Sequence, residues 1–131
     1  MHKGYLLELG ERGVAIPETR LVRAGEAAAE AVRSMSPGAL VVKPAVSMSG
    51  WETHRFDAVD RAGAIACVQR LAGLPPPVGR DMLVQAYRPE IDDGEISIVF
   101  FAGEPSHAIR KRPAAGEFRI QSEYGGTRRC V

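Results

Sequence analysis

One residue whose type and position could do chemistry is a lysine at the end of a short apolar run. Lys43 closes the run 39–43, and a small, polar stretch containing Ser47, Ser49 and Gly50 follows it. A strand-end ammonium can neutralise a polyanion, while N–H groups of the following loop bind phosphate oxygens. A solvent-exposed lysine before an ordinary loop is the alternative, because surface lysines are common and no GxxxxGK[ST] motif is present.

Two further segments combine an apolar run with one polar side chain. Gln85 interrupts the apolar run 82–87, and Glu95 follows a glycine at the start of another apolar run. The backbone of a strand at 85–87 could meet the edge of a planar ring, with apolar neighbours on both ring faces. A carboxylate such as Glu95 can accept two hydrogen bonds from vicinal hydroxyls. The alternatives are a half-buried strand and an edge-strand carboxylate that discourages pairing.

Positive charge is concentrated in the segment HAIRKR, residues 107–112. Strand alternation predicts His107 and Lys111 on one side, and Arg110 and Arg112 on the other. One side could stabilise the charge that develops on a phosphate group in a transition state, with Arg119 adding to the same pocket. A solvated basic strand is the alternative.

The elements that must position these residues follow from hydrophobic spacing and turn residues. Helices are predicted at 3–9, at 25–35 and from an aspartate cap at 57 or 60 to about residue 71. Strands are predicted at 39–43, 54–56 and 82–87, with a hairpin at 95–102 and 106–111. Extended pieces are expected at 17–22 and 118–121, a stiff proline connector at 75–77, and a tail at 127–131 without an element of its own. This order predicts an α+β fold whose second half is an antiparallel sheet.

Composition restricts the class of protein. The chain has 131 residues, of which 45% are hydrophobic and 25% charged, and these values are typical of one globular domain or a piece of one. A net charge of +1 and 6% aromatic residues argue against a nucleic-acid partner. No apolar run approaches the roughly 20 residues of a membrane span. Cys67 and Cys130 have neither metal-ligand nor disulfide-framework spacing, and no signal-peptide core is visible, so a cytoplasmic location is predicted.

Taken in order, the motifs resemble those of the ATP-grasp superfamily. They are HKGYLLELGERG, VVKPAVSMSG, LVQAYRPEI, DGEISIVFFAGEPSHAIRK, and GEFR before a double glycine. The stretch 84–126 is similar to prokaryotic glutathione synthetase, and KPAVS and HAIRK also resemble O-ureidoserine cyclo-ligase-like bacterial enzymes. The resemblance implies an ATP-grasp-like α+β fold, which consists of an antiparallel sheet with flanking helices. Compared with the family, the chain is expected to be truncated at both ends, with an incomplete C-terminal subdomain. It divides the partial domain 1–131 into a small lysine and loop subdomain at about 36–80 and the start of a larger antiparallel-sheet subdomain at 81–131.

The resemblance also assigns residues to nucleotide binding. Two lysines match the family's phosphate contacts, and two serines and a glycine belong to the loop over the phosphates. A glutamine matches the position that faces the adenine amino group, the next two residues would present their backbone to the ring, and a glutamate would bind the ribose hydroxyls. These residues are Lys3, Lys43, Ser47, Ser49, Gly50, Gln85, Ala86, Tyr87 and Glu95.

Two residues are implied to be catalytic. Lys111 falls near the family's basic residue beside the phosphates, and Arg119 matches an arginine of the substrate-side loop. The sequence departs from the family pattern at SMSG, which replaces several glycines, and at Ile96 and Ser97, where glutathione synthetases have an arginine after the ribose acid. The family's magnesium ligands, an acid and a Glu-x-Asn pair, come later than the double glycine, so no metal ligand is predicted in this chain.

The function implied is that of the ATP-binding portion of a carboxylate–amine or related ligase, which activates a carboxylate as an acyl phosphate. Its expected partners are ATP, Mg²⁺ and small-molecule carboxylate and amine substrates, with no nucleic acid and no membrane. Because the magnesium ligands are expected outside the chain, the chain is expected to be inactive alone. A non-catalytic nucleotide-binding or interaction module that shares the ATP-grasp fold is the alternative.

Overall fold

The first part of the chain forms a four-stranded antiparallel sheet with helices. The computed structural model describes residues 2–76 and 79–131, which divide into two compact units after Tyr87. In the first unit the strands are β1 (Thr19–Val22), β2 (Leu40–Pro44), β3 (His54–Phe56) and β4 (Met82–Ala86), in the order β1-β4-β2-β3. The helices are α1 (Tyr5–Glu11), α2 (Ala28–Arg33) and α3 (Arg61–Ala72).

The hydrophobic core of this unit lies between the sheet and helices α2 and α3. Alternate residues of β2 and β4, with one face of each helix, are buried together because strand side chains alternate and helix faces repeat every three to four residues. Asp60 caps α3 by accepting a hydrogen bond from the N–H of Gly63 at 2.9 Å, as the sequence predicted. The core side chains include Val32, Leu40, Val42, Ala64, Val68, Leu71, Met82 and Val84. Residues 41, 43, 83 and 85 consequently point to the opposite face of the sheet.

The second unit is a three-stranded antiparallel sheet in the order β5-β6-β7. Its strands are β5 (Glu95–Phe101), β6 (Glu104–Arg112) and β7 (Thr127–Cys130), and short 3-10 helices occupy Pro89–Asp93 and Ser122–Tyr124. Gly94 precedes β5 with φ of 105°, and a Cβ atom there would lie 2.5 Å from the carbonyl oxygen of Lys111. Both the left-handed φ and the close approach require glycine, so the turn fixes where Glu95 begins its strand.

The α+β class, three helices, the β5–β6 hairpin and the strand at 54–56 are confirmed, and the extended piece at 17–22 is β1. One prediction is wrong, because residues 127–130 of the tail form β7. Residues 118–121 lie in no helix or strand, and Gln121 among them has an extended backbone with φ of −72° and ψ of 148°. All four β7 side chains are exposed, so the tail carries no alternating hydrophobic signal, and its strand exists only through pairing with β6. Helix α2 is shorter than predicted and α1 begins after Lys3. Residue 77 of the predicted proline connector lies outside the described residues.

Candidate functional site

Two of the predicted lysines and one serine meet at the end of β2. Lys3, just before α1, donates from Nζ to the hydroxyl of Ser47 at 2.7 Å, to the carbonyl of Ser47 at 3.0 Å and to that of Pro44 at 3.1 Å. Lys43 donates from Nζ to Oε1 of Gln85 on the neighbouring strand β4 at 2.8 Å. The structure therefore brings Lys3 to Ser47 and Lys43 to Gln85. The sequence predicted Lys3, Lys43 and Ser47 for the phosphates, whereas it predicted Gln85 for the adenine amino group.

The two ammonium groups are electrostatically uncompensated. Burial, and secondly the charge of Lys3, lower the pKa of Lys43 from 10.5 to about 8. Burial also lowers the pKa of Lys3. Within residues 2–76 and 79–131, neither lysine forms an ion pair with a carboxylate. An anion beside these two partly desolvated cations would relieve both penalties at once.

The loop after Lys43 is built from left-handed turns. Ser49 and Glu52 both have φ of 50° and Gly50 has φ of 69°. The N–H of Trp51 donates to the carbonyl of Met48 at 2.9 Å, which closes the turn. Ser49 and Gly50 lie at its apex, and no described hydrogen bond joins them to the two lysines. The structure thus places them in the predicted loop but does not bring them to the lysine pair.

An ion-pair cluster that sequence reasoning missed anchors the far end of this loop. The Glu52 carboxylate accepts from Nη2 of Arg70, on α3, at 2.7 Å and lies 2.6 Å from Nε2 of His54, on β3. Hydrogen bonds from Arg70 first, and from His54 second, lower the pKa of Glu52 to about 2. The cluster ties the end of the loop after Lys43 to both β3 and α3. Its only signal in the sequence was a Glu-x-His pair with an arginine 16 residues later.

The polar groups of Gln85 and of the next two residues are already engaged. The side-chain amide of Gln85 spans from Lys43 to the hydroxyl of Thr19, to which Nε2 donates at 2.8 Å. The N–H of Ala86 donates to the carbonyl of Glu18 at 2.8 Å, and that of Tyr87 to the carbonyl of Ala39 at 2.9 Å. Neither of these two N–H groups is therefore available to a base at this edge. Sequence reasoning missed Thr19, which lies in the extended segment 17–22 between Glu18 and Arg20.

In the second unit the predicted residues form two separate groups. Glu95 lies directly opposite Lys111 on β6, with Oε1 3.5 Å from Nζ, and both are on one face of the sheet. Arg119, in the loop 113–126, donates from Nε and Nη2 to the two carboxylate oxygens of Glu117 at 3.0 and 2.6 Å. Its guanidinium carbon lies 3.6 Å from the centre of the Tyr124 ring. The hydrogen bond from Arg119 lowers the pKa of Glu117 to about 2, so this arginine is held in one orientation.

The opposite face of that sheet carries a group of arginines. The register pairs Arg110 with Arg129 across β6 and β7, so alternation separates them from Lys111 as the sequence predicted. A cavity of about 490 Å³ lies along β6 and β7, and sequence reasoning missed it because β7 was not predicted. Its lining residues are Arg110, Arg112, Thr127, Arg128, Arg129 and Val131.

The described residues do not fit a metal site. Among residues 2–76 and 79–131, no group of three or more His, Cys, Asp or Glu side chains could hold an ion. Magnesium prefers several oxygen ligands, including carboxylates, and the lysine pair offers it only ammonium groups. In the same part of the chain, no helix has the length and apolar character that a membrane span requires.

Comparison with known proteins agrees with this geometry. A family model described as prokaryotic glutathione synthetase, ATP-grasp domain, matches residues 9–131. A crystal structure of the D-cycloserine synthetase DcsG is similar over 99% of this chain, with a TM-score of 0.80 and 26% sequence identity. The chain spans less than half of that protein, 45% of its length. A search of curated protein sequences found no match.

Proposed function

The chain belongs to the ATP-grasp domain family of prokaryotic glutathione synthetase, and from this premise we propose that it is the ATP-binding portion of a carboxylate–amine or related ligase. Its nucleotide would lie with the phosphates against Lys3 and Lys43 and the adenine ring against the end of β4. The structurally similar D-cycloserine synthetase is itself named as a synthetase, in agreement with this class. Both cysteines are free thiols, in keeping with a cytoplasmic location, where ATP is available.

The observation that carries the proposal is the uncompensated lysine pair. A triphosphate bound there would supply the negative charge that no described carboxylate supplies to Lys43. Coulombic attraction between a phosphate and a partly buried ammonium is stronger than the same attraction in bulk water. Binding would also raise the pKa of Lys43 from about 8, so that ATP binding would be accompanied by proton uptake at mildly alkaline pH, above this value.

The reaction we assign has two steps. A carboxylate oxygen of the first substrate attacks the γ-phosphorus of ATP, the bond to the β–γ bridging oxygen breaks, and ADP leaves. The amine nitrogen of the second substrate then attacks the acyl carbon, the bond from that carbon to the phosphate oxygen breaks, and orthophosphate and a proton leave. Catalysis of phosphoryl transfer consists mainly of positioning and charge neutralisation, which are tasks suited to Lys43 and Lys111.

In the second unit we assign Glu95 to the ribose hydroxyls and Lys111 to the phosphate being transferred. Arg119, already fixed by Glu117 and Tyr124, is assigned to the acyl phosphate or the carboxylate substrate, because a guanidinium matches the geometry of both anions. Lys111 and Arg119 are therefore the proposed catalytic residues. No step is assigned to Mg²⁺, since the described residues do not fit a site for it.

Calorimetric titration with MgATP tests the proposal. We expect saturable binding by the wild type, and at least about tenfold weaker binding by Lys43→Met, since a charge-assisted phosphate contact is worth about 1.5–3 kcal/mol. Arg33→Met is the matched control because it removes an exposed cation from α2 of the same unit. Absence of binding by a demonstrably folded wild type would refute nucleotide binding, and unchanged binding by Lys43→Met would refute the role of Lys43.

The alternative is a non-catalytic nucleotide-binding module, and the lack of a metal-ligand cluster in the described residues favours testing it directly. Acyl phosphates react with hydroxylamine to give hydroxamates. Hydroxamate formed by this chain from MgATP, a panel of amino acids and hydroxylamine would refute the non-catalytic alternative, which makes no acyl phosphate. Hydroxamate formation that depends on Lys111 would support the ligase.

A further inference from the structure

A chain of buried hydrogen bonds crosses three strands of the first sheet and ends at Lys43. Thr19 on β1 lies directly opposite Gln85 on β4, and Lys43 on β2 is the diagonal neighbour of Gln85, since Val41 is opposite it. Diagonal neighbours on one sheet face are within reach of long side chains. The links are 2.8 Å from Gln85 Nε2 to Thr19 Oγ1 and 2.8 Å from Lys43 Nζ to Gln85 Oε1. Thr19 and Gln85 are only 5% and 9% exposed.

The polarity of this chain is set at its Thr19 end. The hydroxyl of Thr19 donates its single proton to the carbonyl of Pro17 at 2.7 Å, so its oxygen can only accept from Gln85. The amide must therefore turn its NH₂ group to Thr19 and its oxygen to Lys43. In the reverse orientation the NH₂ group would face an ammonium, donor against donor, and the amide oxygen would face a hydroxyl whose proton is already used.

We propose that Thr19 is a positioning residue: its hydroxyl fixes the orientation of the Gln85 amide, and the amide oxygen in turn holds the Lys43 ammonium in place. The consequence for nucleotide binding rests on the proposed function, because Lys43 is there assigned to the phosphates. Thr19 touches neither Lys43 nor, in this assignment, the nucleotide, and it acts only through Gln85.

Lys43 needs such support because the fold offers it little else. Its ammonium is partly desolvated, Lys3 is a nearby like charge, and the described residues supply no carboxylate partner. A hydrogen bond from a charged donor is stronger than one between neutral groups. An amide free to turn would present its oxygen to Lys43 for only part of the time.

Substitution of Thr19 by its isostere valine tests the orientation mechanism. The chain contains three lysines, Lys3, Lys43 and Lys111, so protein labelled with ¹³C and ¹⁵N lysine gives few side-chain signals, and each can be titrated by NMR. In Thr19→Val we expect the pKa of Lys43 to fall below its wild-type value, because the charged form loses a fixed acceptor. Thr19→Ser keeps the hydroxyl and should restore the wild-type titration. Thr127→Val, an exposed threonine of the second unit, is the matched control.

The same substitution in a Gln85→Glu protein separates an effect on the orientation of the amide from an effect on packing. Both side-chain oxygens of a glutamate accept hydrogen bonds, so it has no wrong orientation, and adding Thr19→Val should leave the pKa of Lys43 unchanged. An equal fall of that pKa in both backgrounds, or no fall in the Gln85 background, would overturn the proposal. If Thr19→Val does not fold, hydrogen exchange in the wild type decides, because the Gln85 NH₂ group should be protected and free exchange would overturn the proposal.

Titration with MgATP gives the consequence for the proposed function. We expect the Kd of Thr19→Val to be about tenfold higher than that of the wild type, because this factor corresponds to the loss of one charge-assisted hydrogen bond. Thr19→Ser should have the wild-type Kd. The lysine titrations are made without nucleotide, so they judge the role of Thr19 alone. Failure of the wild type to bind MgATP would instead refute the proposed function, and the two failures are thereby distinguishable.

Discussion

Replacing Lys43 by methionine should make the protein more stable at neutral pH while weakening nucleotide binding. Methionine keeps much of the apolar stem of lysine but carries no charge. The pKa of Lys43 is lowered from 10.5 to about 8, chiefly by burial. At about 1.4 kcal/mol for each pH unit, this gap corresponds to about 3 kcal/mol by which folding disfavours the charged form.

The gain in Lys43→Met is smaller than that penalty. The substitution leaves Oε1 of Gln85 without its donor, and a lost hydrogen bond at a buried acceptor costs about 1 kcal/mol. We therefore expect the free energy of unfolding of the first unit to rise by about 2 kcal/mol at pH 7. Affinity for MgATP should fall in the same variant, so stability and binding should change in opposite directions.

The pH dependence identifies the cause. Because the folded pKa of Lys43 lies below the unfolded value, the unfolded chain binds more protons between pH 8 and 10.5, and wild-type stability rises through this window. The advantage of Lys43→Met should shrink over the same window and reverse to about 1 kcal/mol in favour of the wild type above pH 10.5, where only the lost hydrogen bond remains.

Urea unfolding followed by the fluorescence of Trp51, the single tryptophan and a residue of the first unit, measures these differences. Arg33→Met serves as the control and should change stability by less than about 0.5 kcal/mol at every pH, because it removes an exposed charge. A Lys43→Met protein that is less stable than the wild type at pH 7, or whose difference from it does not change between pH 7 and 10.5, would refute the reasoning.

Three further predictions concern the elements around the site. Glu52→Gln should lower the free energy of unfolding by about 1 kcal/mol at pH 7, and this difference should vanish as the pH falls from 4.5 towards 2, because the Glu52 carboxylate stabilises the fold only while it is ionised. Urea unfolding at pH 7 and pH 2.5 checks this, and a difference that does not change with pH would contradict it. Arg119→Lys should let the pKa of Glu117 rise from about 2 towards 4.5, measured by NMR titration of the carboxyl carbon, and an unchanged pKa would show that Arg119 is not its main partner. Leu71→Ala should destabilise the first unit by about 2–5 kcal/mol in the same urea assay, since Leu71 is fully buried in the core, whereas a loss below about 1 kcal/mol would contradict that packing.

Local patterns predicted most elements of the first unit and the residue types of the site. The apolar run ending at Lys43, the interrupted run around Gln85 and the capped helix after Asp60 are each contained within about a dozen residues. Their hydrophobic period and turn residues therefore indicate the element directly. The strand at 127–130 was missed for the opposite reason, because its four exposed residues have no pattern and only the edge of β6 defines their conformation.

The sequence by itself thus determined which residues to propose for nucleotide binding: Lys3, Lys43, Gln85, Glu95 and Lys111 stand in the order of the family motifs that they resemble. Only the tertiary structure decided what these side chains bond to. Thr19 and Gln85 are 66 residues apart, and Gln85 and Lys43 are 42 apart, yet the strand order β1-β4-β2 sets all three side by side. Hydrogen bonds between strands depend on the order and register of the sheet, and these follow from burying the core face as a whole rather than from any local run of residues.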